Sequence, residues 1–279
     1  MRIIKAETIR DIVKELCLEA NFALRKDVYS ALKTAAKKEK NKRAKKILEI
    51  LVKNADIARK EKIAICQDTG MAIVFVDIGQ DIKVQGSLEK AINQGVSQAY
   101  TKGYLRKSIV ADPLLRKNTG DNTPAVIHYR IVPGSKIKIT VMAKGFGSEN
   151  VSKTKMLKPT EGESQIADFV ANAVKDAGPG ACPPFFIGIG IGGSLDKAVA
   201  LAKEALLLPI GAVNKKRHLA RLEKEILAQV NKLKIGPMGF GGAHTALGVK
   251  ILSCPTHIAG LPVAVNISCH ALRTAGKVL

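Results

Sequence analysis

Hydrophobic positions along the chain change their period near residue 62. Before that point they recur at helical spacing: Ile9, Ile12, Val13, Leu16, Ala20 and Ala23 share one face, with Thr8 or Asp11 in position to cap the start. Ala44, Ile47, Leu48, Leu51 and Ala55 form a second such face, and a shorter helix is expected between them near residues 28–38. After Lys62 the run Ala72-Ile-Val-Phe-Val-Asp-Ile is strand-like, rich in β-branched residues. Ala125–Val132 and Lys136–Met142 read as a pair of strands around the turn Pro133-Gly134-Ser135. Ile166, Phe169, Val170, Ala173 and Val174 predict a helix capped by Thr160 and Glu163 and stopped by Gly178-Pro179. Further helices are expected near 194–207 and 215–233, and strands near 248–252 and 262–268. The expected fold is α+β: a helical N-terminal lobe over 1–62, then a mixed β-sheet lobe with flanking helices over 63–279, the two forming one continuous unit.

Composition narrows the class. The chain has 279 residues, 46% of them apolar, enough for one large globular domain or two small ones. No apolar run approaches the roughly 18 residues that span a bilayer, and the start lacks the apolar stretch of a secretion signal, so a cytoplasmic protein without a membrane partner is expected. Five cysteines, an odd number, argue against a disulfide framework and leave thiols or metal ligation. The net charge of +21 invites a nucleic-acid or scaffold reading. However, the densest basic run, Lys37–Lys46, contains no aromatic residue, and the chain has no Trp, so stacking platforms for single strands are scarce. The run reads as a solvated helix face and linker, and no nucleic-acid partner is expected. A basic surface equally suits an enzyme of anionic substrates.

The candidate chemistry lies between the elements. Three polar or Gly-rich loops each carry a cysteine: Ile65-Cys66-Gln67-Asp68-Thr69-Gly70, Gly178-Pro-Gly-Ala-Cys182-Pro-Pro, and Asn266-Ile-Ser-Cys269-His-Ala. Cys17, beside the first helical face, reads as core. The wide spacing excludes zinc fingers and ferredoxin-type runs. On residue types alone the three thiols form a shared metal site, or are separate and inert, or include a nucleophile paired with a His. Gly236–Gly242 and Lys144–Ser148 have the composition of backbone anion cradles. Gly188-Ile-Gly-Ile-Gly-Gly193 formally matches a dinucleotide fingerprint. No acidic residue lies about 20 positions on, so a Gly-rich strand permitting close backbone approach is the better reading. Arg106 offers a bidentate grip on a carboxylate, and His257 suits proton transfer near neutral pH.

Taken in order, these loops with Lys117-Asn-Thr-Gly-Asp-Asn-Thr-Pro124 and Gly147-Ser-Glu-Asn resemble class I, iron–sulfur fumarate hydratases, and equally the alpha subunit of L(+)-tartrate dehydratase, over essentially the whole chain. The resemblance implies an iron–sulfur hydro-lyase that reversibly adds or removes water on a C4 dicarboxylate, fumarate/L-malate first and L(+)-tartrate as the alternative. It implies a [4Fe–4S] cluster on Cys66, Cys182 and Cys269, with Cys254 the rival to Cys269. It further implies a dicarboxylate site lined by Gln67, Asp68, Arg106 and Gly147, and proton transfer by Asp68 and His257. Single-chain members continue into a second catalytic domain, whereas this sequence ends at Leu279. The resemblance therefore implies an alpha subunit that needs a beta subunit carrying that domain, in an α2β2-type hetero-oligomer.

Overall fold

The computed structural model describes residues 2–279 and has an α+β fold. In chain order the elements are β1 (Arg2–Lys5), α1 (Ala6–Phe22), α2 (Lys26–Lys38), α3 (Lys42–Glu61), β2 (Met71–Gly79), β3 (Ile82–Gln85), α4 (Leu88–Lys102), β4 (Val126–Val132), β5 (Ile137–Lys144), α5 (Phe146–Glu149), β6 (Lys153–Leu157), α6 (Glu163–Ala177), β7 (Phe185–Gly193), α7 (Leu195–Ala205), α8 (Arg217–Lys232), β8 (Ala246–Thr256), β9 (Leu261–Ser268) and β10 (Thr274–Val278). The chain divides into two compact units. The first comprises Met1–Arg25, Asn54–Phe146 and Arg273–Leu279, and the second Lys26–Lys53 and Gly147–Leu272. The helical segment 1–62 is thus shared between them.

The first unit is built on a four-stranded sheet of order β10-β5-β2-β4, beside the parallel pair β1-β3. Ile9, Val13, Leu16, Val74, Ile92, Val96, Ile139 and Val141 pack into its core. Helices α1 and α4 approach closely because Gly95 has no side chain: a Cβ there would lie 2.9 Å from the Val13 Cβ. Strands β4 and β5 form where expected but do not pair with each other. β2 lies between them, parallel to β4 and antiparallel to β5. The reason is burial. β2 is apolar on both faces, as a central strand must be, while β4 is largely exposed. The Pro133-Gly134-Ser135 turn instead docks on the end of β2, where the Gly79 N–H donates to the Lys136 carbonyl at 2.8 Å.

The second unit carries a four-stranded sheet of order β6-β9-β7-β8, with α6, α8 and the sheet enclosing Ile166, Val170, Val174, Phe185, Ile187, Leu222, Ile226, Ile251 and Val265. The Gly188–Gly193 run is strand β7 with its turn. A Cβ at Gly188 or Gly190 would run into the backbone carbonyls of Ala202 or Ala198 on α7, so the glycines admit a helix against the strand. Two caps differ from expectation. α1 starts at Ala6 after Lys5, with no side-chain cap, so neither Thr8 nor Asp11 serves. α6 starts at Glu163, and the Gln165 side chain accepts the Gly162 N–H at 2.9 Å in place of a Thr160 cap.

Candidate active site

In the first unit, the C-terminal end of α3 and β2 are joined by the loop that carries Cys66, Gln67 and Asp68. Gln67 is exposed, and Cys66 and Asp68 are half-buried. The Asp68 carboxylate is held at both oxygens: Oδ1 accepts the Gly70 N–H at 2.9 Å and Oδ2 the Phe146 N–H at 2.8 Å. Three successive carbonyls of the loop accept from buried side chains. Arg273 Nη1 donates to the Asp68 carbonyl at 2.6 Å, and the Tyr100 hydroxyl lies 2.8 Å from the Thr69 carbonyl and 3.0 Å from that of Gly70. Asn122 Nδ2 also donates to the Gly70 carbonyl, at 3.2 Å. Burial pushes the Tyr100 hydroxyl well above the ordinary tyrosine range, so it remains a donor. The Thr69 hydroxyl donates to the Arg106 carbonyl at 2.9 Å, which ties the Arg106 segment to this loop and leaves the Arg106 side chain exposed. Gly70 has a φ of +75°, and a Cβ there would meet the Lys144 backbone at 2.7 Å, so the turn tolerates only glycine.

In the second unit, Cys182 follows a 3₁₀ turn at Pro179–Ala181 and takes the left-handed conformation, with a φ of 58°. Its carbonyl accepts the His270 N–H at 3.2 Å and lies 3.2 Å from His270 Nδ1. The Cys182 and Cys269 loops are therefore adjacent, and both thiols are half-buried. The Gly-rich segment 236–242 braces the same place, the Met238 N–H donating to the Pro183 carbonyl at 2.9 Å. That segment is not an anion cradle. The N–H groups of Met238, Gly239, Phe240 and Gly241 all bond protein carbonyls, and no free row of donors remains for a ligand. Its far end is pinned by Glu39, which is buried. Glu39 Oε2 accepts the Ala243 N–H at 2.8 Å and lies 2.8 Å from His244 Nδ1.

Gly147 is exposed, with open space where a Cβ would stand. Next to it, Glu149 accepts from Asn266 Nδ2 at 2.9 Å and pairs with Lys203. His257 is exposed in the turn after β8, where its Nδ1 accepts the Ala259 N–H at 3.1 Å. Cys254 is a residue of β8, and its Sγ would lie 3.0 Å from a Cβ at Gly193.

Cys66 thus belongs to one unit and Cys182 and Cys269 to the other. Among the described residues, no three His, Cys, Asp or Glu side chains gather closely enough to hold a metal ion. The donors themselves suit one. The five cysteines form no disulfide, and the three loop thiols are half-buried, unlike Cys17, which is 1% exposed and whose thiol burial pushes up to about 12. Soft thiolates presented from irregular backbone fit iron–sulfur ligation. Sequence reasoning missed Arg273 and Tyr100, and marked Asn122 only as a member of the Lys117–Pro124 loop, without a role. Arg273 left one signal: a single cation within Ala271-Leu272-Arg273-Thr274-Ala275.

These loops and the fold that carries them define a class. The chain belongs to the fumarate hydratase (Fumerase) family, whose pattern matches residues 10–277. It is similar to a Methanocaldococcus jannaschii protein named "Putative L(+)-tartrate dehydratase subunit alpha", 42% identical over 276 residues and 96% of each chain. It is also similar to the Escherichia coli L(+)-tartrate dehydratase subunit alpha, 31% identical over 268 residues, covering 95% of this chain and 88% of the relative. No helix among the described residues is long and apolar enough to cross a membrane.

Proposed function

We propose that the chain is the alpha subunit of a two-chain, [4Fe–4S]-dependent hydro-lyase that reversibly adds or removes water on a C4 dicarboxylate, with fumarate and L-malate as its substrate pair. Family membership supports the reaction class. The relatives' names support the subunit reading and favour a second substrate, L(+)-tartrate. The observation that carries the proposal is Asp68: a carboxylate fixed at both oxygens by backbone N–H groups, two residues from Cys66.

Cys66, Cys182 and Cys269 would hold the cluster, which when bound supplies a Lewis-acidic iron that favours loss of hydroxide. Each Asp68 oxygen keeps a lone pair beyond the hydrogen bond it accepts, and the carboxylate holds or releases the hydroxyl proton. Because His257 Nδ1 accepts the Ala259 N–H, the neutral ring carries its hydrogen on Nε2, from which it can hydrogen-bond the substrate hydroxyl and support the proton transfer at Asp68. The Arg106 guanidinium grips a substrate carboxylate, and Gln67 and Gly147 line the dicarboxylate site. The base that removes the carbon-bound proton would come from a beta subunit, in an α2β2-type cytoplasmic complex.

The test is anaerobic reconstitution with the co-expressed beta subunit, followed by assays on malate, fumarate and tartrate. Turnover of one of these, abolished in Asp68→Asn and slowed in His257→Gln, is expected. A complex fully loaded with iron that turns over none of the three would refute the reading.

A further inference from the structure

We infer that Arg273 is a positioning residue for Asp68, holding the Cys66–Gly70 loop in its working conformation from beneath; this rests on the reading of Asp68 as the proton-transfer group. Arg273 opens the last segment of the first unit, just ahead of β10. It is 2% exposed, among the most deeply buried large side chains. Its Nη1 donates to the Asp68 carbonyl at 2.6 Å and to Asn21 Oδ1 at 3.3 Å. Asn21 is itself buried and fixed, its Nδ2 donating to the Cys17 carbonyl at 3.0 Å, while its own carbonyl accepts the Ile65 N–H at 3.0 Å. The guanidinium therefore joins α1 to the loop just after Cys66, while the Asn21 carbonyl holds the loop just before it. A Cβ at Gly145 would lie 3.1 Å from both Arg273 Nη2 and Asp68 Oδ2, so the glycine keeps a side chain out of the space beside both groups.

The pairing is poor as a device for stability. Arg273 Nε is buried and has no partner. An unpaired buried donor costs free energy, and a buried ion can often be replaced by an apolar side chain of similar volume without loss. A residue kept only for packing would serve better as Met or Leu. What Arg uniquely supplies here is a rigid, long-reaching donor aimed at the Asp68 carbonyl.

The experiment uses Arg273→Met and Arg273→Lys in the alpha chain and in its complex with the beta subunit. In the apo alpha chain, hydrogen exchange of peptides spanning residues 65–70 is expected to accelerate at least about tenfold in Arg273→Met while peptides from α1 and β2 stay unchanged, a local loosening. In the reconstituted complex kcat is expected to fall about 10²-fold, the scale of a roughly 1 Å misplacement. KM should change less than kcat, since the Arg106 side chain, the proposed carboxylate grip, lies outside the loop that loosens. Arg273→Lys, which keeps the charge and is the milder change should Arg273→Met fail to fold, is expected to recover part of both effects. Unchanged exchange at 65–70 overturns the inference, as does exchange that rises equally throughout the unit or a KM effect that outweighs the kcat effect. The exchange readout needs neither cluster nor substrate. A loosened loop in a protein whose wild type has no hydro-lyase activity would sink the proposed function and leave the clamp standing.

Discussion

Glu39→Gln isolates the worth of a buried carboxylate at the base of the second unit. The Glu39 side chain is 2% exposed and accepts four hydrogen bonds. Oε1 takes the N–H groups of Lys40 and Asn41 at 3.0 Å each, and Oε2 takes those of Ala243 and His244 Nδ1 at 2.8 Å each. Burial opposes the charge, yet the bonds from Asn41, His244 and Ala243 outweigh it and hold the carboxyl below its ordinary value. Glutamine keeps the shape but turns an NH2 toward one pair of donors. Two hydrogen bonds to a charged acceptor are lost, each worth about 1.5–3 kcal/mol, and sharing within one network reduces the total to about 3 kcal/mol. For a chain of this size that lowers Tm by roughly 6–12 °C. The sign of the pH dependence follows from the depressed value. The stabilisation is complete above the unfolded pKa of about 4.3 and is lost as pH falls through the lower folded value. Melts of wild type and variant should therefore differ fully at pH 7, and the gap should narrow progressively as pH falls below about 4.3. A gap of the same size at pH 7 and pH 3.5 would refute the attribution to the ionised carboxylate, and no gap at pH 7 would refute the network.

On anaerobic reconstitution the wild-type complex should take up about four irons per alpha chain, and Cys66→Ser, Cys182→Ser and Cys269→Ser should each lose iron while Cys17→Ser does not; retention of a full cluster in all three loop variants would end the cluster assignment. Gly190→Ala should cost more than about 3 kcal/mol, the upper range for overpacking, because α7 must leave β7; a wild-type Tm would contradict the close approach. Ile92→Ala, deleting a fully buried side chain of the first core, should cost about 2–5 kcal/mol, read as a lowered urea midpoint. Tyr100→Phe removes the donor shared by the Thr69 and Gly70 carbonyls and should lower kcat with little change in KM; an unchanged kcat would show that the loop needs no support there.

The elements with long, regular patterns were readable. α1, α2, α3, α6, α7 and α8 lie where the spacing put them, because each buries a stripe that recurs every three to four residues. α4 was missed: its buried face, Ala91, Ile92, Gly95, Val96, Ala99 and Tyr100, is half small residues and contributes little periodic signal. The order of strands was not readable. Local turn chemistry at Pro133-Gly134 suggested a hairpin, but which strand is central depends on burial on both faces, a property of the assembled sheet. The glycines of β7 were read correctly as permitting close approach because the composition around them left no room for a dinucleotide site.

The candidate site shows the same division between chemistry and support. Residues that would meet a ligand, such as Cys66, Asp68 and Arg106, stand in polar loops where their character is visible one position at a time. Those that hold them, Arg273, Tyr100 and Asn122, act on backbone carbonyls across 205, 31 and 52 residues of chain, and a carbonyl looks the same in every residue. One signal survives in composition. Arg273 and Cys269 lie four positions apart, so a short stretch contributes a thiol to the second unit and a buried cation to the first. An apolar segment that carries a lone cation must satisfy or exploit it. Here the partner is the carbonyl of the residue whose carboxylate is proposed to move the proton, and a change at Arg273 should therefore register at Asp68 before it registers in the stability of the sheet.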